Sequence, residues 1–182
     1  MKKRYLFWPF LSRQSVDLDG EVHGVRATLD EFKREGSSTN YIRYGSRKHR
    51  GRLVHCNAPD KTIYVTGHGG AGIPFIFPDP EGGGESVNPF YLVGRLIEYG
   101  LKPSTQCKLK IFTCYSGAAG TETAYADWVA QILRHLQYND ISVFGYTQKV
   151  APLGDNGHTY YLDTTPGHRG IWSRASQVRQ QF

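Results

Sequence analysis

The sequence predicts an α/β fold: a mainly parallel central sheet covered by helices, with a β-hairpin near the C-terminus. Apolar runs at 62–66, 108–113 and 141–146 have the length and the β-branched and aromatic content of buried strands. Two helical patterns lie between them. Strand, helix, strand, helix, strand in that order calls for crossovers of one hand and hence parallel pairing.

The elements follow in chain order. Residues 4–7 predict a first strand. They sit in a start that imitates a secretion signal, with Lys2, Lys3 and Arg4 before an apolar core. That core is broken by Pro9, and no small-x-small cleavage site follows Leu11, so the strand is the favoured reading. Val25, Leu29 and Phe32 fall on one face of a helix, Gly36-Ser37-Ser38-Thr39 reads as a loop, and 41–44 as a short strand. The glycine- and proline-rich stretch 73–84 cannot be regular structure. Asn88 and Pro89 suit an N-cap and first helical position, Gly100 a stop, and Leu92, Val93, Leu96 and Ile97 the apolar stripe. A second helix is expected over 121–137, with Tyr125, Val129, Ile132 and Leu136 on its buried side. The tail, 158–163 and 168–172 around Thr164-Thr165-Pro166-Gly167, reads as the hairpin.

A chain of 182 residues suits a single domain, 1–182, large enough to bury its core without staples. With 39% hydrophobic and 13% aromatic residues it reads as globular. No apolar run approaches membrane-spanning length. The net charge of +6 gathers in two clusters: Arg43, Arg47, Lys48, His49, Arg50 and Arg52, then Arg169, Arg174 and Arg179. These suit either a phosphate-rich partner or a solvated basic face. No nucleic-acid-binding motif appears, so a nucleic-acid partner would rest on charge alone. Three cysteines are an odd count, which leaves at least one thiol outside any intramolecular disulfide and suits a reducing compartment.

Two strand ends carry the chemistry. Thr66-Gly67-His68-Gly69-Gly70 follows the first strong strand, and Thr113-Cys114-Tyr115-Ser116-Gly117 follows the second. A thiol nucleophile and its imidazole base need adjacency in space, and strand ends of one sheet supply it. In this reading Cys114 is the nucleophile and His68 the base, which later protonates the leaving amine. The backbone N–H groups of Gly69 and Cys114 serve as oxyanion donors, and a helix beginning soon after Ala118 would favour the thiolate. Cys56 and Cys107 read as structural, His55 as strand-borne, and His23, His49, His135 and His168 as surface residues. The loop at 67–74 lacks the Lys-Ser/Thr of a phosphate-binding loop. Phe112 and Ser116 occupy the positions where a hydrolase nucleophile elbow needs glycine. No close pair of cysteines or histidines suits a structural zinc, so no metal is expected.

At these residues the chain resembles the caspase–gingipain superfamily (clan CD) of cysteine peptidases, and most closely the self-cleaving cysteine peptidase domains of clostridial glucosylating toxins and RTX toxins. Gly67-His68-Gly69 and Cys114 carry the resemblance, 46 positions between the two key residues, with a helix between and a later strand and hairpin in the family's order. It spans about residues 60–175. It implies a caspase-like three-layer α/β/α sandwich and peptide-bond cleavage by a Cys–His dyad through an acyl-enzyme, with no required cofactor. It also implies a protein or peptide substrate, the role of a bacterial effector or toxin-associated protease, and a place in the cytoplasm or delivery into a target cell without a classical signal peptide. Inositol hexakisphosphate, the toxin domains' activator, is an implied anionic ligand for which no basic pattern matches residue by residue. Gly70-Ala71-Gly72 replaces charged residues that often follow the toxin histidine. Tyr146 and Trp172 are candidates for the wall of an apolar specificity pocket. The alternatives are a non-catalytic binding module on the same fold and a basic phosphate- or nucleic-acid-binding domain.

Overall fold

The computed structural model describes residues 3–11, 29, 38–79, 82, 84–120, 123–151, 160–163 and 171–182. Its strands are β1 (Lys3–Trp8), β2 (Ser38–Arg43), β3 (Thr62–Thr66), β4 (Cys107–Phe112), β5 (Ile141–Tyr146), β6 (Lys149–Ala151), β7 (Tyr160–Asp163), β8 (Ile171–Arg174) and β9 (Arg179–Gln181). Its α-helices among the described residues are α1 (Pro89–Glu98) and α2 (Tyr125–His135). Six strands form one sheet in the order β2-β1-β3-β4-β5-β9, parallel throughout except for the antiparallel edge β9. A separate antiparallel sheet, β6-β7-β8, contains the expected hairpin. The hairpin's turn, 164–170, lies outside the described residues, as do Val25, Phe32, His23, His158 and His168.

Chain direction explains which face each helix covers. From β3 to β4 to β5 the chain steps one way across the sheet, so crossovers of one hand put α1 and α2 on the same face. Both pack there: Leu92, Val93 and Leu96 of α1 and Val129, Ala130 and Leu133 of α2 share a core with Phe7, Ile63, Val65, Leu109 and Ile111. From β1 to β2 the chain steps the other way, and the same hand then requires the opposite face. Leu29 packs on that face, against a cluster of Leu6, Tyr64, Phe112, Tyr146, Val150 and Ala175. Among the described residues, Tyr161 of the small sheet and Val178 of a 3-10 turn also pack there.

The first helix forms as its caps dictate. The Asn88 side chain accepts from the Tyr91 N–H at 2.9 Å, Pro89 fills the first turn, and Gly100 takes φ 105°, open chiefly to glycine. Three expectations are corrected. Ser38 and Thr39 belong to β2, not to a loop. His55 ends a 3-10 turn (Arg52–His55) and is not strand-borne. The second helix starts at Tyr125 and buries Ala126, Ala130 and Leu133 in place of Ile132 and Leu136; Leu136 is 43% exposed.

Candidate active site

The β3–β4 register aligns Thr66 with Phe112. His68 and Cys114 each follow two residues beyond that last aligned pair, at the carboxyl end of the sheet, where open α/β sheets place their sites. The strand order reverses between β1 and β3, so His68 follows a strand at that reversal. The histidine's backbone stays extended past β3, held by an antiparallel bridge to Phe77: His68 N–H donates to the Phe77 carbonyl at 2.8 Å and the return bond is 2.9 Å. That bridge and a second one between Ile76 and Val87 anchor the glycine- and proline-rich stretch. Glu85 fastens the same stretch, accepting from the Leu11 N–H and pairing with Arg95.

The two strand-end loops touch through glycine. A Cβ on Gly69 would stand 3.0 Å from the Cys114 carbonyl oxygen and 3.2 Å from Thr113 Oγ1, so a side chain there would require the Cys114 loop to give way by a few tenths of an ångström. Past Cys114 the chain turns sharply. Tyr115 adopts φ 57°, an uncommon value for a non-glycine residue, and its N–H donates to the Gln148 carbonyl at 3.1 Å. Ser116 fixes the turn from inside: its hydroxyl donates to the Ile111 carbonyl at 2.6 Å and accepts from the Tyr146 N–H at 3.1 Å. Gly117 lies flat on Gly145; a Cβ on it would meet the Gly145 carbonyl carbon at 2.8 Å. Sequence reading missed Ser116, whose two partners come from different strands.

The Cys114 thiol is half-buried on the aromatic cluster and donates to the Val150 carbonyl at 3.5 Å. Burial raises its pKa, and the Lys149 ammonium opposes that rise. The helix dipole invoked for it is spent elsewhere: α2 begins at Tyr125, and the Ala126 N–H donates to the Ser116 carbonyl at 2.8 Å. The chain matches no protein-family model and no curated protein sequence.

Farther down the same sheet face lies a cleft of about 410 Å³, lined by Arg4, Lys108, Lys110 and Arg179 with Tyr64 and Asp60 among its other walls. Lys108 and Lys110 project on the face of β4 that also carries Phe112 and Cys114, since alternate residues share a face. Lys110 Nζ donates to the Tyr64 hydroxyl at 3.1 Å and sits 4.9 Å from that ring's centre. Tyr64 meets Phe112 edge-on at 6.3 Å, and Phe112 meets Tyr146 at 5.4 Å. Tyr146 is 2% exposed inside this cluster, so it walls no open specificity pocket. The clusters read from sequence proximity contributed only Arg179 to the cleft. The available signal was lysine at alternate positions of a central parallel strand, which is normally apolar on both faces.

No helix among the described residues is long and apolar enough to cross a membrane.

Proposed function

We propose that the protein is a cysteine endopeptidase of caspase-like type in which His68 and Cys114 form a catalytic dyad. The observation that carries this reading is the β3–β4 register, which sets the two residues at neighbouring strand ends, joined by the glycine contact at Gly69. The chemistry starts from a neutral thiol. His68 takes the Sγ proton as sulfur attacks the scissile carbonyl, the Gly69 and Cys114 N–H groups receive the oxyanion, and the imidazolium protonates the leaving amine. Water then hydrolyses the thioester; an amine acceptor in its place makes the same intermediate an acyltransferase step. The substrate is a protein or peptide, and the setting is that of a bacterial effector or toxin-associated protease acting in the cytoplasm or delivered into a target cell.

Labelling with iodoacetamide or an acyloxymethyl ketone, read by mass spectrometry, tests the dyad. Cys114 should label in preference to Cys56 and Cys107, and His68→Ala should weaken that labelling. Equal labelling of the three thiols, unchanged in His68→Ala, would replace the peptidase with a non-catalytic binding module on the same fold. One observation favours that second reading: the thiol is half-buried, and that burial raises its pKa.

The basic cleft supports a phosphate-rich ligand, with inositol hexakisphosphate the candidate that the family resemblance supplies. Lys110 sits on Tyr64 at one end of the Tyr64–Phe112–Tyr146 cluster, and Cys114 packs against the same cluster. A ligand drawing on Lys110 therefore bears on the packing around the thiol. Nucleic acid binding at this charge would weaken steeply with salt and ignore the loss of Cys114.

A further inference from the structure

Cys56 and Cys107 take no part in this chemistry, yet the fold holds them as a pair. Cys56 follows the Arg52–His55 turn and Cys107 opens β4; they are 0% and 3% exposed in the core beneath the helices. Their neighbours in sequence are tied together, Gln106 N–H donating to Asn57 Oδ1 at 3.0 Å and Lys108 N–H to the Lys61 carbonyl at 3.0 Å. Both thiols lie in one core cluster with Tyr5, whose hydroxyl donates to the His55 carbonyl at 2.9 Å, closing the turn over them.

We propose that Cys56 and Cys107 are a redox pair that closes to an intramolecular disulfide under oxidising conditions, leaving Cys114 as the one free thiol. Cys114 is out of reach of Cys107: it follows the far end of β4, whose six residues span roughly 17 Å, against a disulfide's Cα separation of about 4–7 Å. The oxidant is a low-molecular-weight disulfide such as oxidised glutathione. A thiolate of the pair attacks it, forming a mixed disulfide and releasing one glutathione thiolate; the second protein thiolate attacks that mixed disulfide and releases the other. One S–S bond breaks and one forms; two electrons pass to glutathione, and the two protons lost by the cysteines end on its two thiols. Access comes through the turn, where Val54, His55 and Asn57 are exposed. The closed loop would enclose β3, His68 and α1, so the bond would restrain the segment that carries the proposed base without touching it.

The experiment equilibrates the folded protein in buffers of graded oxidised-to-reduced glutathione ratio, quenches with acid, alkylates, and maps peptides. The expected result is loss of two hydrogens in intact mass, a Cys56–Cys107 link, and alkylation confined to Cys114. In Cys56→Ala and Cys107→Ala that loss disappears and the remaining core cysteine stays alkylatable once the chain is unfolded. A link involving Cys114, glutathione retained on Cys56 or Cys107, or three reduced thiols at the oxidising limit would overturn the proposal. So would a Cys56–Cys107 link that forms only in urea. If either alanine variant fails to fold, the wild-type map alone decides. The readout is thiol chemistry at the far end of β4 from Cys114, so a failed peptidase reading leaves it intact and the reverse also holds.

Discussion

At the scale of single residues, the raised pKa of Cys114 sets a pH dependence. Its thiol holds its proton past the ordinary cysteine value of about 8.5, so alkylation of the folded protein should climb with pH later than that of a free cysteine. A rate profile from pH 6 to 10 checks this, and a midpoint at or below the free value would contradict it. Gly69→Ala adds a methyl where the Cys114 carbonyl oxygen stands at 3.0 Å. If the proposed peptidase reading is right, turnover should fall at least tenfold while the circular dichroism spectrum holds. Ser116→Ala strands the buried Tyr146 N–H and should cost roughly 1–3 kcal/mol in urea unfolding. Of these residues, His68 and Cys114 were legible because glycines punctuate strand ends that must carry them. Ser116 was not, because its two partners, Ile111 and Tyr146, lie on different strands and only the folded sheet brings them within reach.

At the scale of elements, β3, β4, β5 and α1 were legible from local signals that agree: an apolar run, a cap, a stop. The second helix shows where such signals fail. Its buried side includes Ala126 and Ala130, which carry little weight in a hydrophobic pattern, and they are inside because α2 comes down onto Gly145. A Cβ on Gly145 would lie 2.7 Å from the Ala126 Cβ. Close backbone approach, not hydrophobicity, turned the helix by one position. Leu133→Ala should therefore cost about 2–5 kcal/mol, and Leu136→Ala, at 43% exposure, about 0.5 kcal/mol or less in the same denaturation assay. Equal losses would restore the pattern read from sequence. The edge strand β9 was illegible for the opposite reason: Arg-Gln-Gln, exposed throughout, has no strand signature, and it pairs because β5 offers it an edge.

At the scale of the whole molecule, two bulk properties follow. The neighbouring Cys107 thiol and then burial raise the pKa of Cys56, and burial raises those of Cys114, Tyr125 and Tyr146. These groups keep their protons longer folded than unfolded, so the unfolded chain releases protons first. Their contribution is complete at neutral pH and is lost as pH rises past the ordinary thiol and phenol values of about 8.5 and 10. Thermal midpoints should drop progressively between pH 8 and 10.5; a flat profile would contradict the assignment. The cleft predicts the second property. Inositol hexakisphosphate at a hundredfold excess over its Kd should raise the Tm by roughly 5–10 °C, and Lys110→Ala should cut that gain. A rise unaffected by Lys110→Ala would place the anion on the exposed basic turns near Arg47 and Arg52 instead.

The antiparallel strand at the sheet's margin has a consequence for how the molecule behaves in a crowd. Bare, the Ile-Ser-Val-Phe-Gly-Tyr rim of β5 would offer unsatisfied amides on a β-prone template, inviting a second copy to stack edge to edge. Arg179, Gln180 and Gln181 spend those amides on a short, wet, cationic ribbon that recruits poorly. Clipping the ribbon off should convert a dispersed protein into one that polymerises.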